Sequence, residues 1–216
     1  NARFIRADVT REEDIASAVE QTVAAFGGLD ILFNNAGGLT RGTVEDVTQA
    51  DFRDAMDLLL GSVIFGMKHA VPHLKNRGGG RIINNASVAG HRANMGQLLY
   101  SAAKAAVAHF TRVSALELAP HGITVNAISP GGIATPIFYG GSEVASKLDD
   151  AHNEAKMRKL TGNLATATPL LRSGVPRDIA HAALFLASDE GGFVNAHDLV
   201  VDAGMIAGGR TNYGQK

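Results

Sequence analysis

Tyr100 and Lys104 stand at i, i+4 spacing in the run Tyr-Ser-Ala-Ala-Lys, inside a helical pattern that puts both tips on one face. A phenol titrates near ~10 and is a poor proton shuttle at neutral pH. A neighbouring ammonium favours the phenolate, which is what a tyrosine acid/base needs. Taken alone, such a pair recurs by chance on helix surfaces. Ser87 gives it context, because it follows the strand-like run Arg81–Asn84 and so sits at a strand's carboxyl end. A hydroxyl there can hydrogen-bond a carbonyl or alcohol oxygen while Tyr100 moves the proton.

The elements that must position these residues alternate along the chain. Phe4–Ala7, Ile31–Phe33, Arg81–Asn84, Thr124–Ile128 and Leu199–Val201 are short and rich in Ile, Val, Leu and Phe, as strands buried on both faces are. Helical patterns cover Glu12–Phe26, Gln49–Lys75, Leu98–Ala119 and Pro176–Ala187. Thr10 ahead of Glu12 and Glu13 resembles a capped helix start, and Gly27-Gly28 a stop where φ > 0 is needed. The alternation predicts an α/β fold, a parallel sheet with helices on both faces. Gly78-Gly79-Gly80 reads as a tight turn into a strand. The polar, helix-compatible stretch 136–168 lies beyond a strand's carboxyl end, where open sheets bind ligands, and is expected to be a lid over a site.

Composition narrows the function classes. The 216 residues are 45% hydrophobic and 19% charged with a net charge of −1, which leaves no basic footprint for nucleic acid or anionic lipid. No apolar run approaches the ~18 residues of a membrane span, and no secretory signal pattern is evident. Cysteine is absent, which removes disulfides and thiolate nucleophiles and fits a reducing, cytoplasmic setting. Small molecules and copies of the chain itself are the expected partners.

Several motifs jointly resemble the short-chain dehydrogenase/reductase family. They are Asn34-Asn35-Ala36-Gly37, Ala86-Ser87 with Gly90, Tyr100 with Lys104, and Asn126-Ala127-Ile128-Ser129-Pro130-Gly131. Gly174-Val-Pro-Arg-Asp-Ile-Ala, Phe185-Leu-Ala-Ser-Asp and Val201-Asp-Ala-Gly complete the set, in order from about Phe4 to Gly204. The resemblance implies a single Rossmann-type, doubly wound domain over 1–216 and reversible hydride transfer between a nicotinamide cofactor and a secondary alcohol or ketone. NAD is expected, with NADP left open. It implies Tyr100 as acid/base, Ser87 as the group polarising the substrate oxygen, and Lys104 as holding the nicotinamide ribose and lowering the Tyr100 pKa. Asp8 and Val9 would meet adenine, and Asn35, Ala36 and Gly37 the adenosine ribose. Pro130 and Gly131 would floor the nicotinamide, with Ile133 and Thr135 at its carboxamide. Gly131 and Gly132 are read as letting backbone approach a flat ring.

Two departures stand out. The family's opening strand, glycine-rich turn and helix, which cradle the pyrophosphate, have no counterpart, so the first βαβ portion is absent and an apolar sheet edge should show. An incomplete sequence is expected rather than a natural fragment. Leu59 occupies the place where the family has an Asn that holds a relay water near the lysine, and Ser62, one turn on, is the expected substitute.

Weaker signals complete the picture. His69 and His73 have metal-ligand spacing but no third ligand, and are expected on a solvated helix face; no metal is expected. His91, Met95, Gln97, Ile137, Phe138 and Tyr139 are candidates to line a substrate pocket, and Asp149-Asp150 reads as a solvated turn. An apolar lid favours a moderately hydrophobic, cyclic substrate. The family's matching helices pair across a two-fold, so a homodimer or homotetramer is expected. A related epimerase or dehydratase, a weakly catalytic scaffold, and a truncated subunit that binds no cofactor are the alternatives.

Overall fold

The computed structural model describes residues 2–208, so the domain span read from the sequence extends past them at both ends. Four parallel strands lie side by side in the order β1 (Ile31–Asn34), β2 (Gly80–Asn85), β3 (Ile123–Pro130) and β4 (Asp198–Val201). Before the first strand runs α1 (Glu12–Phe26), and between the strands run α2 (Gln49–Met56), α3 (Ser62–Asn76), α4 (Leu98–Leu118), α5 (Gly141–Ala145), α6 (Asp150–Ala167) and α7 (Pro176–Ala187).

Side-chain alternation makes the sheet two-faced. Ile82, Ile123, Val125 and Ala127 join Val63, Met67, Ala70 and Leu74 of α3 and Val107, Ala108 and Ala115 of α4 in one core. Their neighbours in sequence, Ile83 and Ile128, point the other way and meet Leu186 of α7. Each strand is therefore apolar on both faces, the sequence signature of a parallel sheet between helical layers. The expected doubly wound α/β architecture is what the chain adopts.

The predicted strand Phe4–Ala7 does not form. Phe4 is 89% exposed and the segment pairs with no strand among the described residues. A strand exists only through a neighbour's hydrogen bonds, and its composition alone supplies none. β1 is consequently an edge, with Ile31 and Phe33 partly bare. An apolar groove of about 350 Å³ runs between this edge and α1.

Local details correct four readings. The Thr10 hydroxyl donates to Asp8 rather than capping α1, whose N-cap is Arg11. Gly27 takes the left-handed conformation at the end of α1 (φ 80°), whereas Gly28 is not among the positive-φ residues. The long helix read over Gln49–Lys75 is interrupted at Asp57–Gly61 by a wider π turn that buries Leu59 completely. Asp149 is no free turn residue either: its carboxylate accepts from the His152 N–H and starts α6. The stretch 136–168 is helical, as its composition predicts, and carries no buried residue in α6.

Candidate active site

Strand β2 ends at Asn85, and the chain turns through Val88–Gly90 with Ser87 extended at its head. The Ser87 hydroxyl accepts from the Ala89 N–H at 3.1 Å, so its oxygen is fixed by its own turn. Gly90 presses this turn onto α4. A Cβ there would stand 2.8 Å from the Ala105 nitrogen and 2.9 Å from the Lys104 carbonyl carbon. Gly90→Ala should therefore push the turn off α4 and cost about 1–3 kcal/mol, read by urea denaturation. Unchanged stability would show that this contact is slack.

Tyr100 lies in the first turn of α4, close enough to Ser87 for that hydroxyl to act on its phenol. Burial raises the Tyr100 pKa, and the Ser87 hydroxyl opposes that rise. The sequence argument expected Lys104 to pull the phenol down. In the fold burial prevails, and the Lys104 Nζ lies by the ring, 5.7 Å from its centroid. Lys104 is 3% exposed, and desolvation lowers its pKa from 10.5 to about 8. Its ammonium donates to the Asn85 backbone carbonyl, which ties α4 to the end of β2. Ser87, Tyr100 and Lys104 are thus gathered where the sequence reading placed them, at a strand's carboxyl end.

The strip read as ribose- and adenine-facing also comes together. Asn35, Ala36 and Gly37 leave the end of β1 exposed, and Val9, Asn35 and Ala36 line the groove beside it. A Cβ on Gly37 would stand 3.9 Å from the Lys104 Nζ, so this strip runs directly past the buried ammonium. Asp8 lies at the surface before α1, its carboxylate held below the usual range by hydrogen bonds from Thr10. These groups fit a nicotinamide dinucleotide: an open backbone strip leaving a strand's carboxyl end, with a buried cation aimed at it.

On the far side, Pro130 and Gly131 end β3, Ile133 is buried, and Thr135 opens the turn Pro136–Tyr139. The glycines there also meet the protein itself closely. A Cβ on Gly131 would stand 2.5 Å from the Asp202 Cβ, and one on Gly132 2.9 Å from both Leu164 and Met205. The close approach is to the protein's own C-terminal segment and to α6. Ile137 is half-buried and Phe138 is 52% exposed at the start of the helical stretch.

Other candidates are engaged elsewhere. The Gln97 amide oxygen accepts from the Thr40 N–H (2.9 Å) and hydroxyl (3.2 Å), pinning the loop that follows Gly37. The His91 Nε2 lies 2.8 Å from the Asp198 carboxylate and 3.1 Å from the Ser129 hydroxyl. His69 and His73 are not on a solvated face: they hydrogen-bond Glu12 and Glu20 of α1 at 3.0 and 2.9 Å. The Ser62 hydroxyl donates to the Leu58 carbonyl. Sequence reasoning missed Asn85, whose backbone oxygen is the described acceptor for Lys104, because main-chain acceptors carry no side-chain signal.

Residues 1–206 match a family model described as enoyl-(acyl carrier protein) reductase. The chain is 37% identical over 207 residues to trans-4-hydroxycyclohexanecarboxylate dehydrogenase of Sinomonas cyclohexanicum, covering 96% of itself and 72% of that protein. Its fold is similar to 7α-hydroxysteroid dehydrogenase complexed with NADH and 7-oxo glycochenodeoxycholic acid, with a TM-score of 0.77, 32% identity, and coverage of 92% of this chain and 72% of that one. ElxO with NADP bound is similar at a TM-score of 0.79 and 29% identity, over 95% of this chain and 79% of that one.

Proposed function

This chain belongs to the short-chain dehydrogenase/reductase family, and from that premise we propose that it interconverts a ring-borne secondary alcohol and its ketone with NAD or NADP. The observation that carries the reading is the junction of Ser87 and Tyr100 beside a buried Lys104. The nicotinamide, when bound, supplies or takes up the hydride at carbon. Every other role falls to the chain. The Ser87 and Tyr100 hydroxyls both donate to the ketone oxygen, which polarises it. As hydride reaches the carbon, Tyr100 gives its proton to that oxygen, and the reverse transfer oxidises the alcohol. Lys104 holds the ribose hydroxyls and places positive charge behind the phenol. Asn35, Ala36 and Gly37, with Asp8 and Val9, receive the adenosine, and Pro130, Gly131, Ile133 and Thr135 the nicotinamide end.

A cyclic, moderately hydrophobic substrate is supported by Ile137 and Phe138 at the start of a lid over 136–168. The relatives named for a hydroxycyclohexane carboxylate and a hydroxysteroid point the same way. Leu59 favours one second reading, a catalytically weak member of the family. It is fully buried and packs beside Gly37 next to Lys104, where it can hold no relay water. NADH and NADPH oxidation against a panel of cyclic and aryl ketones separates the two. Turnover with one cofactor supports the dehydrogenase. Nucleotide binding without turnover on any ketone supports the weak member.

A further inference from the structure

We propose that His91, held by Asp198, is a positioning residue for Ser87, which makes the C-terminal strand a working part of the active site. The proposal rests on the reading of Ser87 given above. Asp198 opens β4, and its side chain is only 3% exposed. Its Oδ2 lies 2.8 Å from the His91 Nε2, while its buried Oδ1 has no hydrogen-bond partner among the described residues. A carboxylate only accepts, so Nε2 carries the hydrogen and donates to it. The Ser129 oxygen, fully buried at the end of β3, lies 3.1 Å from the same nitrogen. The imidazole is therefore seated against two neighbouring strands at once.

One tight turn connects this anchor to Ser87. The Gly90 N–H donates to the Ser87 carbonyl at 2.9 Å, and the His91 and Arg92 N–H groups donate to the Val88 carbonyl at 3.0 Å. Arg92 adds a second tie, its guanidinium donating to the Met205 carbonyl at 3.0 Å. On the opposite side Gly90 abuts α4 at Lys104 and Ala105. The Ser87 turn is thus clamped between α4, which carries Tyr100, and β4 with its continuation. The hydrogen bonds that hold Ser87 are local, its hydroxyl accepting from the Ala89 N–H and its carbonyl from the Gly90 N–H. Its place relative to Tyr100 is set by whatever holds the turn, and on the β4 side that is His91.

The test compares His91→Leu, His91→Gln and Asp198→Asn with the parent protein, alone and in a Ser87→Ala background. His91→Leu should lower kcat about tenfold to a hundredfold, as misplacing a reacting group does, with the Kd for NADH unchanged. His91→Gln, whose Nε2 can reach the same carboxylate, and Asp198→Asn, whose amide oxygen still accepts, should recover most of that loss. His91→Leu should cost nothing further once Ser87 is Ala, because residues acting through one group are non-additive. Hydrogen exchange gives a readout free of turnover: amides of 88–91 should exchange faster in His91→Leu while those of α4 stay protected. Unchanged exchange at 88–91, parental kcat in His91→Leu, or a full additive loss in the Ser87→Ala background would each overturn the proposal. If the parent and Ser87→Ala turn over alike, the role given to Ser87 fails instead, and the exchange result still decides whether the clamp exists.

Discussion

Tyr100→Phe should lose about a hundredfold to ten-thousandfold in kcat, the usual worth of a positioned acid/base, while binding nicotinamide nucleotide as before. The ring stays, so α4 and its packing stay, and only the hydroxyl that meets Ser87 is removed. The pH dependence carries a second signature. Burial raises the Tyr100 pKa, so the phenol is protonated throughout the neutral range. That is the form which gives a proton to a ketone, and reduction should run flat from about pH 6 to 8. Oxidation of the alcohol needs the phenolate, so its rate should climb with pH over the same interval. Stopped-flow measurement in both directions checks the pair. A variant keeping more than about a tenth of parental turnover would remove Tyr100 from the mechanism.

Lys104→Met should abolish ketone reduction and at the same time free the fold from a cost. Desolvation lowers the Lys104 pKa from 10.5 to about 8, so between these values the unfolded chain binds the proton that the folded chain has released. Stability therefore rises with pH across that window. The rise is worth about 3 kcal/mol at ~1.4 kcal/mol per unit, and below it the folded protein bears the whole cost of the buried charge. The Met variant carries no such charge. Losing the donor to the Asn85 carbonyl gives back about 1–3 kcal/mol, so at pH 7 the variant should melt at or above the parental temperature. Its denaturation midpoint should also stay flat from pH 8 to 10.5 while the parent's climbs. Urea titrations at several pH values decide this, and a variant several degrees less stable at pH 7 would show that the ammonium is not strained by burial. A lysine kept where a methionine would be more stable is the mark of a site built for something other than stability.

Much of this was legible before any coordinates. Glu12–Phe26 and Pro176–Ala187 were read to the residue, because early acids mark the first, Pro176 starts the second, and Gly27 ends the first in the left-handed conformation. The four paired strands were each found within two residues of their ends, since runs of Ile and Val flanked by glycine and polar residues leave little freedom. Phe4–Ala7 failed because strand composition cannot tell whether a partner lies alongside. The site was partly legible. The spacing of Tyr100 and Lys104 is local, and Ser87 follows from a strand end. The partners of Gln97 and His91, Thr40 and Asp198, are distant in sequence and give no local sign. The contacts of Gly131 and Gly132 with Asp202, Leu164 and Met205 are invisible locally for the same reason, since they form only through the tertiary fold.

The wide turn at Asp57–Gly61 has a consequence for how the chain tolerates change in length. A π turn accommodates one residue more than an α turn would, and each helical residue advances the azimuth by about 100°. The helix that follows keeps its phase because the wide turn absorbs that extra residue. Val63, Met67, Ala70 and Leu74 face the core from it, and Gly66 lies so near Asn34 of β1 that a Cβ would collide with the Asn34 amide. Deleting a single residue within 57–61 would let the turn close to regular α geometry and leave that apolar stripe in register. Most substitutions in the same stretch leave the count unchanged and keep the stripe seated. In this chain, the bulge is the place along the helix where losing one residue disturbs the core least.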